Sequence, residues 1–499
     1  MKTPQPASVQ KVVVHAVRLR AWLGLGWLLF VGLIWSFREI ISPRMIALSG
    51  YVAFLWLAVC CSHNHRAIRW RTLCWGIGLQ VALAWLLLRW RLPSKPAEMS
   101  WLTWSLRAWT TDDLGAGSWR PVFALFEQLG ELVRRFLGFS QRGAEFVFGP
   151  LADAQALKSV FPEGGFIFAC VALPAIIFVS AIFSVLYYLR VLPAVVHGLA
   201  VVMRRALGTS GAETLSAVAN VFFGQTEAPL IIKPYVPRLT TSELLAVMSG
   251  GMATIAGGVM AVYIQMGADA VAILATSVMA APCSLFLAKL VWPEEEQPLT
   301  ARGELVWVPA EHRHLIDALA RGASEGLQLA LNVAAMLIAF LATLALIDAL
   351  LAGCKPTLLA IGIPAAWLSW WPDPLSLAWI LARLFYLPAF LLGVESRELP
   401  MVADLLGTKL VANEFVAYVK FTSPHAQGGY ADLLSPQGKL LVTYALTGFA
   451  NFGSIGIQLG GLGAMAPERR AELAALGGRA LLVGYLATLM NACLAHLLM

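Results

Sequence analysis

The chain is 499 residues long, 59% hydrophobic and only 13% charged, with a mean hydropathy of +0.72. Charged residues make up roughly a quarter of a soluble globular chain, so this composition excludes one; with apolar runs of about 20 residues recurring throughout, it describes a polytopic helical membrane protein. The net charge of +7 comes from lysines and arginines in short loops between apolar stretches, and without a basic stripe of interleaved aromatics no nucleic-acid partner is expected.

Basic residues precede the first apolar stretch, 21–37, and no small-residue cleavage site accompanies it, so an uncleaved helix is expected in place of a signal peptide. Spans are expected at 45–61, 73–90 and 165–189. The intervening stretch 91–153 is less uniformly apolar. Its Trp101, Trp104, Trp109 and Trp119 suit a membrane interface. Within it, apolar residues at helical spacing over 121–136, with Glu127, Glu131, Arg134 and Arg135 between them, predict a helix lying along that interface. Arg190, His197, Arg204 and Arg205 then form a basic connection.

A broken hydrophobic hairpin is expected at 214–236, where Pro229, Pro234 and Pro237 prevent a continuous helix. Spans follow at 242–266 and 271–292, then a solvated loop over 293–313 containing Glu294, Glu295 and Glu296. A span at 324–351 leads into an irregular, Trp- and Pro-rich connection at 356–374 and a second broken hairpin at 377–422. Spans at 439–462 and 475–498 close the chain, making about nine. The expected fold is an all-α polytopic membrane protein.

The seven cysteines show no CxxC pair or zinc spacing and read as small buried hydrophobes. His63/His65 and His312/His314 are spaced by two in polar loops, a poor metal arrangement, and Asp269, Asp348 and Asp404 near expected helix ends read as solvated or capping. Positive charge in short loops marks the cytoplasmic side. Lys11, Arg18 and Arg20, then His65 to Arg71, Arg204/Arg205 and Arg469/Arg470, agree on a cytoplasmic N-terminus and an outward C-terminus if neither hairpin crosses. Arg38 and Arg44 are the exception.

Two stretches carry the function. The first runs Asn220-Val-Phe-Phe-Gly224-Gln225-Thr226-Glu227-Ala-Pro229 and continues to Gly251-Met-Ala-Thr254-Ile-Ala-Gly257. The second runs Lys409-Leu-Val-Ala-Asn413-Glu414-Phe415 and continues to Gly448-Phe449-Ala-Asn451-Phe452-Gly453-Ser454. Each puts a carboxylate in a broken hairpin and follows it with a glycine-interrupted helix. A carboxylate at membrane depth is costly and persists where it faces a cavity or a substrate. Paired interruptions in two halves of a chain point to the binding site of a secondary transporter, built from inverted repeats with re-entrant hairpins and broken helices.

On these strings the chain resembles the concentrative nucleoside transporters over about residues 60–499, with further matches at Ile68-Arg-Trp-Arg-Thr72, Phe146-Val-Phe-Gly149 and Ala466-Pro-Glu-Arg-Arg470. The resemblance implies a sodium-coupled nucleoside symporter of the bacterial inner membrane, multi-pass in the bilayer and homotrimeric. It implies that Gln225, Thr226 and Glu227 face the nucleobase, that Glu414, Asn451 and Ser454 take the ribose hydroxyls, and that Phe449 and Val259 wall the base. It places Na+ at the side chains of Asn220 and Thr254 and the carbonyls of Phe223 and Ile255. The hydroxyl at Thr254 favours sodium, with coupling to H+ as the alternative. A membrane-embedded enzyme using Glu227 and Glu414 and a gated channel are the readings from other classes.

The expected organisation is an N-terminal extension with one extra transmembrane helix (1–44), scaffold helices with the interfacial helix (45–213) and a first transport repeat (214–298). A loop with a scaffold helix (299–376) and a second repeat (377–499) follow. The expected motion is an elevator-like shift of the repeats against the scaffold.

Overall fold

The structure is a computed structural model that describes residues 6–90, 92–93, 118–119, 121–153, 156–157, 167–301 and 314–499. Trp101, Trp104, Trp109 and His312 lie outside the described residues. Eight helices among those described are long and apolar enough to cross a membrane. Among the described residues the regular structure is helical apart from one short antiparallel pair, β1 (Leu92–Pro93) with β2 (Ser118–Trp119).

Helices α1 (Pro6–Ser36), α2 (Pro43–Cys60) and α3 (Trp70–Leu88) take the first three expected spans. The helix expected at the interface, α4 (Pro121–Phe148), runs well past the expected 121–136 and buries Gly130, Leu137, Ser140 and Ala144 against the bundle. After α5 (Phe168–Tyr188), the basic connection proves to be a helix, α6 (Val191–Leu207). Its buried Leu192, Val196, Ala200, Met203 and Leu207 follow helical spacing, a signal that the basic residues obscure.

The first hairpin opens with α7 (Gly211–Ala219), begun by a capping box in which Ser210 and Glu213 satisfy each other's backbone N–H. It turns at 220–227 and returns through irregular 3₁₀ turns. A second capping box, Thr240 with Glu243, starts α8 (Thr241–Ala253); after a break at 254–256 the chain resumes as α9 (Gly257–Gln265). Asp269 caps α10 (Ala270–Val291), as its position at a helix start implies. Glu294, expected to be solvated, is instead buried: Lys289 Nζ lies 2.9 Å from it and 2.7 Å from Glu213, fastening the hairpin base to the end of α10.

The expected span at 324–351 is part of a single helix of 46 residues, α11 (Leu315–Ala360), which absorbs Pro356. The polar glycines near its start are contact points. A Cβ at Gly322 or Gly326 would come within 2.6–2.8 Å of α5 atoms at Ser184 and Ser180. Asp348 therefore sits inside a helix, and its carboxylate accepts from Leu377 N at 2.6 Å, starting the next one.

The second hairpin is shorter than 377–422. The stretch Leu377–Leu391 forms α12 (Leu377–Leu384) and α13 (Tyr386–Leu391), and the hairpin proper is α14 (Leu399–Val411) with α15 (Glu414–Thr422). Asp404 is not solvated: it is 1% exposed and lies 2.6 Å from Lys420 Nζ, joining the two arms, with Tyr430 OH at 2.9 Å. Lys420 is 27% exposed and can turn to solvent, whereas Asp404 cannot. Lys420→Met is therefore expected to destabilise by about 3 kcal/mol, the low end for breaking a buried pair, and Asp404→Leu by less. Thermal unfolding of the two detergent-solubilised variants checks that order.

Ser435 caps α16 (Pro436–Leu446), and Asn451 restarts the chain as α17 (Phe452–Met465), so the expected span at 439–462 is a helix broken at 447–451. The long α18 (Arg470–Leu498) closes the chain. α2 and α3 lie against α18 and α10, the last helices of the two hairpin units, while α5 and α11 form the most extensive pair with each other.

Candidate functional site

The two broken helices cross where both are unwound. Phe449 N donates to Thr254 O at 3.0 Å, and a Cβ at Gly448 would lie 3.0 Å from Ala253 O and 2.6 Å from Thr488 Cγ2. Only glycine lets the two backbones approach this closely. The first hairpin turn is held to this crossing, Gly257 N donating to Phe222 O at 3.1 Å; the second turn is ordered locally by Asn413, which caps α15 by accepting from Val416 N at 2.8 Å.

Glu414, the first residue of α15, is 5% exposed. Its carboxylate accepts from Tyr263 OH at 3.2 Å and from Asn451 Nδ2 at 2.8 Å. Asn451 has no freedom in this: its Oδ1 caps α17 by accepting from Ser454 N at 2.8 Å, so its amide must face Glu414. Ser454 Oγ accepts in turn from Gln225 Nε2 of the first hairpin at 3.2 Å. One polar chain thus runs Glu414–Asn451–Ser454–Gln225 and ties both hairpins to the second break.

Gln225 Oε1 and Gln458 Oε1 are buried without a protein partner, and unpaired buried acceptors of this kind call for an explanation such as a ligand or water. Thr226 packs over Gly461, where a Cβ would come within 3.0 Å of its methyl. Val259 is buried and Phe449 is half-buried at the crossing. Glu227 is placed apart from Glu414. One oxygen folds back on Gly224 N at 3.2 Å, and the residue lines a cavity of about 350 Å³ between the first hairpin, α5 and α11, together with Lys233, Arg321 and Glu325. Glu414, Asn451 and Ser454 do not line that cavity.

The proposed cation ligands fit a hard cation. Asn220 is fully buried; its Nδ2 donates to Ser216 O at 2.9 Å, while its Oδ1 has no partner. Thr254 spends its hydroxyl proton on Gly250 O at 3.0 Å, which leaves its lone pairs free. The Phe223 and Ile255 carbonyls accept no backbone hydrogen bond outside the helices among the described residues. Amide, hydroxyl and carbonyl oxygens suit a hard cation, and the C-terminal end of α8 adds a favourable dipole.

Tyr263 and Gln458 stand beside these residues although the sequence reading did not single them out. Tyr263 lies one turn beyond Val259 on α9 and stacks on Tyr418 at 3.9 Å; Gln458 lies one turn beyond Ser454 and bonds Met248 O at 2.8 Å. Helical spacing from the residues already selected would have found both. His63 stacks on Trp292 at 4.1 Å and His314 caps α11, which leaves both in structural roles.

Three family models match in series: "Na+ dependent nucleoside transporter N-terminus" over 49–95, "Nucleoside recognition" over 169–270, and "Na+ dependent nucleoside transporter C-terminus" over 272–496. The chain is 38% identical over 487 residues to the sodium/nucleoside cotransporter 1 of Mus musculus, covering 95% of this chain and 66% of that protein. It is 39% identical to an uncharacterized transporter of Haemophilus influenzae, with 90% of this chain and 96% of that protein covered. Among solved structures, CNTnw in an inward-facing substrate-bound state matches with a TM-score of 0.77 at 36% identity, covering 92% of this chain and 98% of that one. A doubly substituted CNTnw in an outward-facing state matches at 0.79 and 35%, covering 91% and 98%.

Proposed function

The chain belongs to the Na+-dependent nucleoside transporter family, and from that membership we propose that it is a secondary active symporter whose nucleoside import is driven by a sodium gradient. The observation that carries the reading is the buried Glu414, held by Tyr263 and Asn451 in a chain that reaches the first hairpin. A fixed acceptor-only carboxylate at this depth is suited to vicinal ribose hydroxyls, with which it makes charge-assisted bonds. Gln225 Oε1 within that chain, and Gln458 Oε1 one helical turn beyond Ser454, are further unpartnered acceptors. Gln225, Thr226 and Glu227 are assigned to the base, with Val259 and Phe449 as its apolar walls.

Sodium is assigned to Asn220, Thr254 and the Phe223 and Ile255 carbonyls. Because Asn220 and Phe223 share the first hairpin turn with Gln225, ion and nucleoside would order the same segment, which is the physical basis of coupling. The two hairpin units, 214–298 and 377–499, are read as inverted repeats with re-entrant hairpins, now carrying α2 and α3 with them. The α5–α11 pair is read as the frame against which they shift, elevator-like. Residues Leu341–Ala360 of that frame bury none of their side chains within one chain, leaving a face for the other copies of a homotrimer. The multi-pass chain is assigned to a bacterial inner membrane with its N-terminus inside and its C-terminus outside, from the loop charges.

Calorimetric titration of uridine and adenosine into the purified protein tests this. Binding of at least one nucleoside in NaCl and loss of it in choline chloride at equal ionic strength is the expected result. Equal binding in both salts would remove the sodium assignment, and binding in neither would remove the substrate.

A further inference from the structure

Lys409 is a lysine with no exposure to solvent, on the arm of the second hairpin that leads to Glu414. Among the described residues it forms no ion pair. Its Nζ donates to Ala445 O at 2.7 Å and to Thr488 Oγ1 at 2.8 Å, and lies 5.3 Å from the centroid of the Tyr485 ring. The Thr488 hydroxyl proton is already committed to Tyr485 O at 2.9 Å, so this oxygen can only accept from the lysine. Ala445 O can only accept as well. Two acceptors and an aromatic face therefore surround the nitrogen, the environment of an ammonium with three donors.

Ala445 lies in the last turn of α16, the half-helix that ends at the second break. Its carbonyl belongs to the negative end of that helix dipole. The equivalent place in the first unit is the end of α8, and what meets it there is neutral: the Asn220 amide, with its oxygen partnerless, and the Thr254 hydroxyl. In both units a residue from the end of the first hairpin arm and a threonine hydroxyl converge on the end of a broken helix. In one unit that set lacks a positive charge; in the other it contains one.

We infer that Lys409 is a tethered cation occupying, in the second unit, the position that a dissolved cation takes in the first. The inference rests on the reading of the chain as a sodium-coupled nucleoside transporter and adds to it the origin of its ion stoichiometry. The covalent charge travels with the second hairpin in every step, so it contributes nothing to coupling and leaves one ion to be drawn from solution. It also supplies positive charge on the arm that leads to Glu414, so that carboxylate needs no second ion of its own.

The test is the ratio of charge moved to nucleoside taken up, read in proteoliposomes under a clamped potential. The parent protein is expected to move about one charge per nucleoside and to show a sodium Hill coefficient of about one. Lys409→Asn gives the second unit the amide-and-hydroxyl set of the first; its ratio and Hill coefficient are expected to rise to about two. Lys409→Arg keeps the charge and is expected to hold the parent ratio, whatever its rate. An unchanged ratio in Lys409→Asn overturns the inference. If Lys409→Asn does not fold, the parent decides: two or more charges per nucleoside, or none, overturns it. Absence of nucleoside uptake by folded parent protein would instead strike the proposed function itself.

Discussion

Glu414→Ala is expected to weaken nucleoside binding at least ~100-fold in the calorimetric titration, the scale set by losing an acceptor built for substrate hydroxyls. The carboxylate is the only member of the Glu414–Asn451–Ser454–Gln225 chain with negative charge, and it is 5% exposed. Removing it also strips Tyr263 OH and Asn451 Nδ2 of their shared acceptor, although the cap that Asn451 makes on Ser454 N survives. The helix restart therefore persists while the sugar loses its anchor. Glu414→Gln separates geometry from charge: its amide can accept from Asn451 and donate to Tyr263, so only the charge-assisted part is lost, roughly half of each bond's strength. A loss of about ten-fold is expected for that variant. Equal affinity in the parent and Glu414→Ala would show that the sugar is held elsewhere.

The second large effect is expected at Asn220. Replacement by leucine keeps the buried volume and removes the partnerless Oδ1. The Ser216 carbonyl loses the side-chain donor at 2.9 Å but keeps the Asn220 backbone N–H at 3.0 Å, so the end of α7 is not left unsatisfied. The sodium concentration for half-maximal nucleoside binding should rise by at least ~10-fold, the equivalent of one lost ion ligand at about 1.4 kcal/mol. Asn220→Asp, which adds a charge at the same atom, should move that concentration the other way. A sodium response untouched by Asn220→Leu, in protein that elutes as the parent does, would exclude Asn220 as a ligand.

Much of this site is legible in the sequence because its geometry is made by caps and breaks. Asn413 and Asn451 are N-cap residues preceding apolar runs, and Ser210 with Glu213 and Thr240 with Glu243 are capping boxes. Such residues announce where a helix starts, and in this chain the starts are where the polar side chains converge. What the sequence hides are residues whose role depends on the facing helix. Tyr263 and Lys409 sit inside apolar helices and acquire partners only when α9 and α18 close over the second hairpin. Asp404 and Glu294 look solvated because their lysine partners come from another helix or from the preceding turn. The same blindness applies to α11: nothing along the chain marks Gly322 and Gly326 as contact points, yet their missing side chains let α5 approach. The grouping of α2 and α3 with the hairpin units is likewise a property of packing, which no periodicity along one helix encodes.

The most direct test of the central claim is uptake of radiolabelled uridine and adenosine into proteoliposomes carrying an inward sodium gradient, compared with a matched proton gradient. The account predicts accumulation above the external concentration with sodium, collapse of that accumulation when the gradient is dissipated, and none in Glu414→Ala. Accumulation driven by protons alone would contradict the ion assignment. Equilibration that never exceeds the external concentration under either gradient would contradict symport altogether.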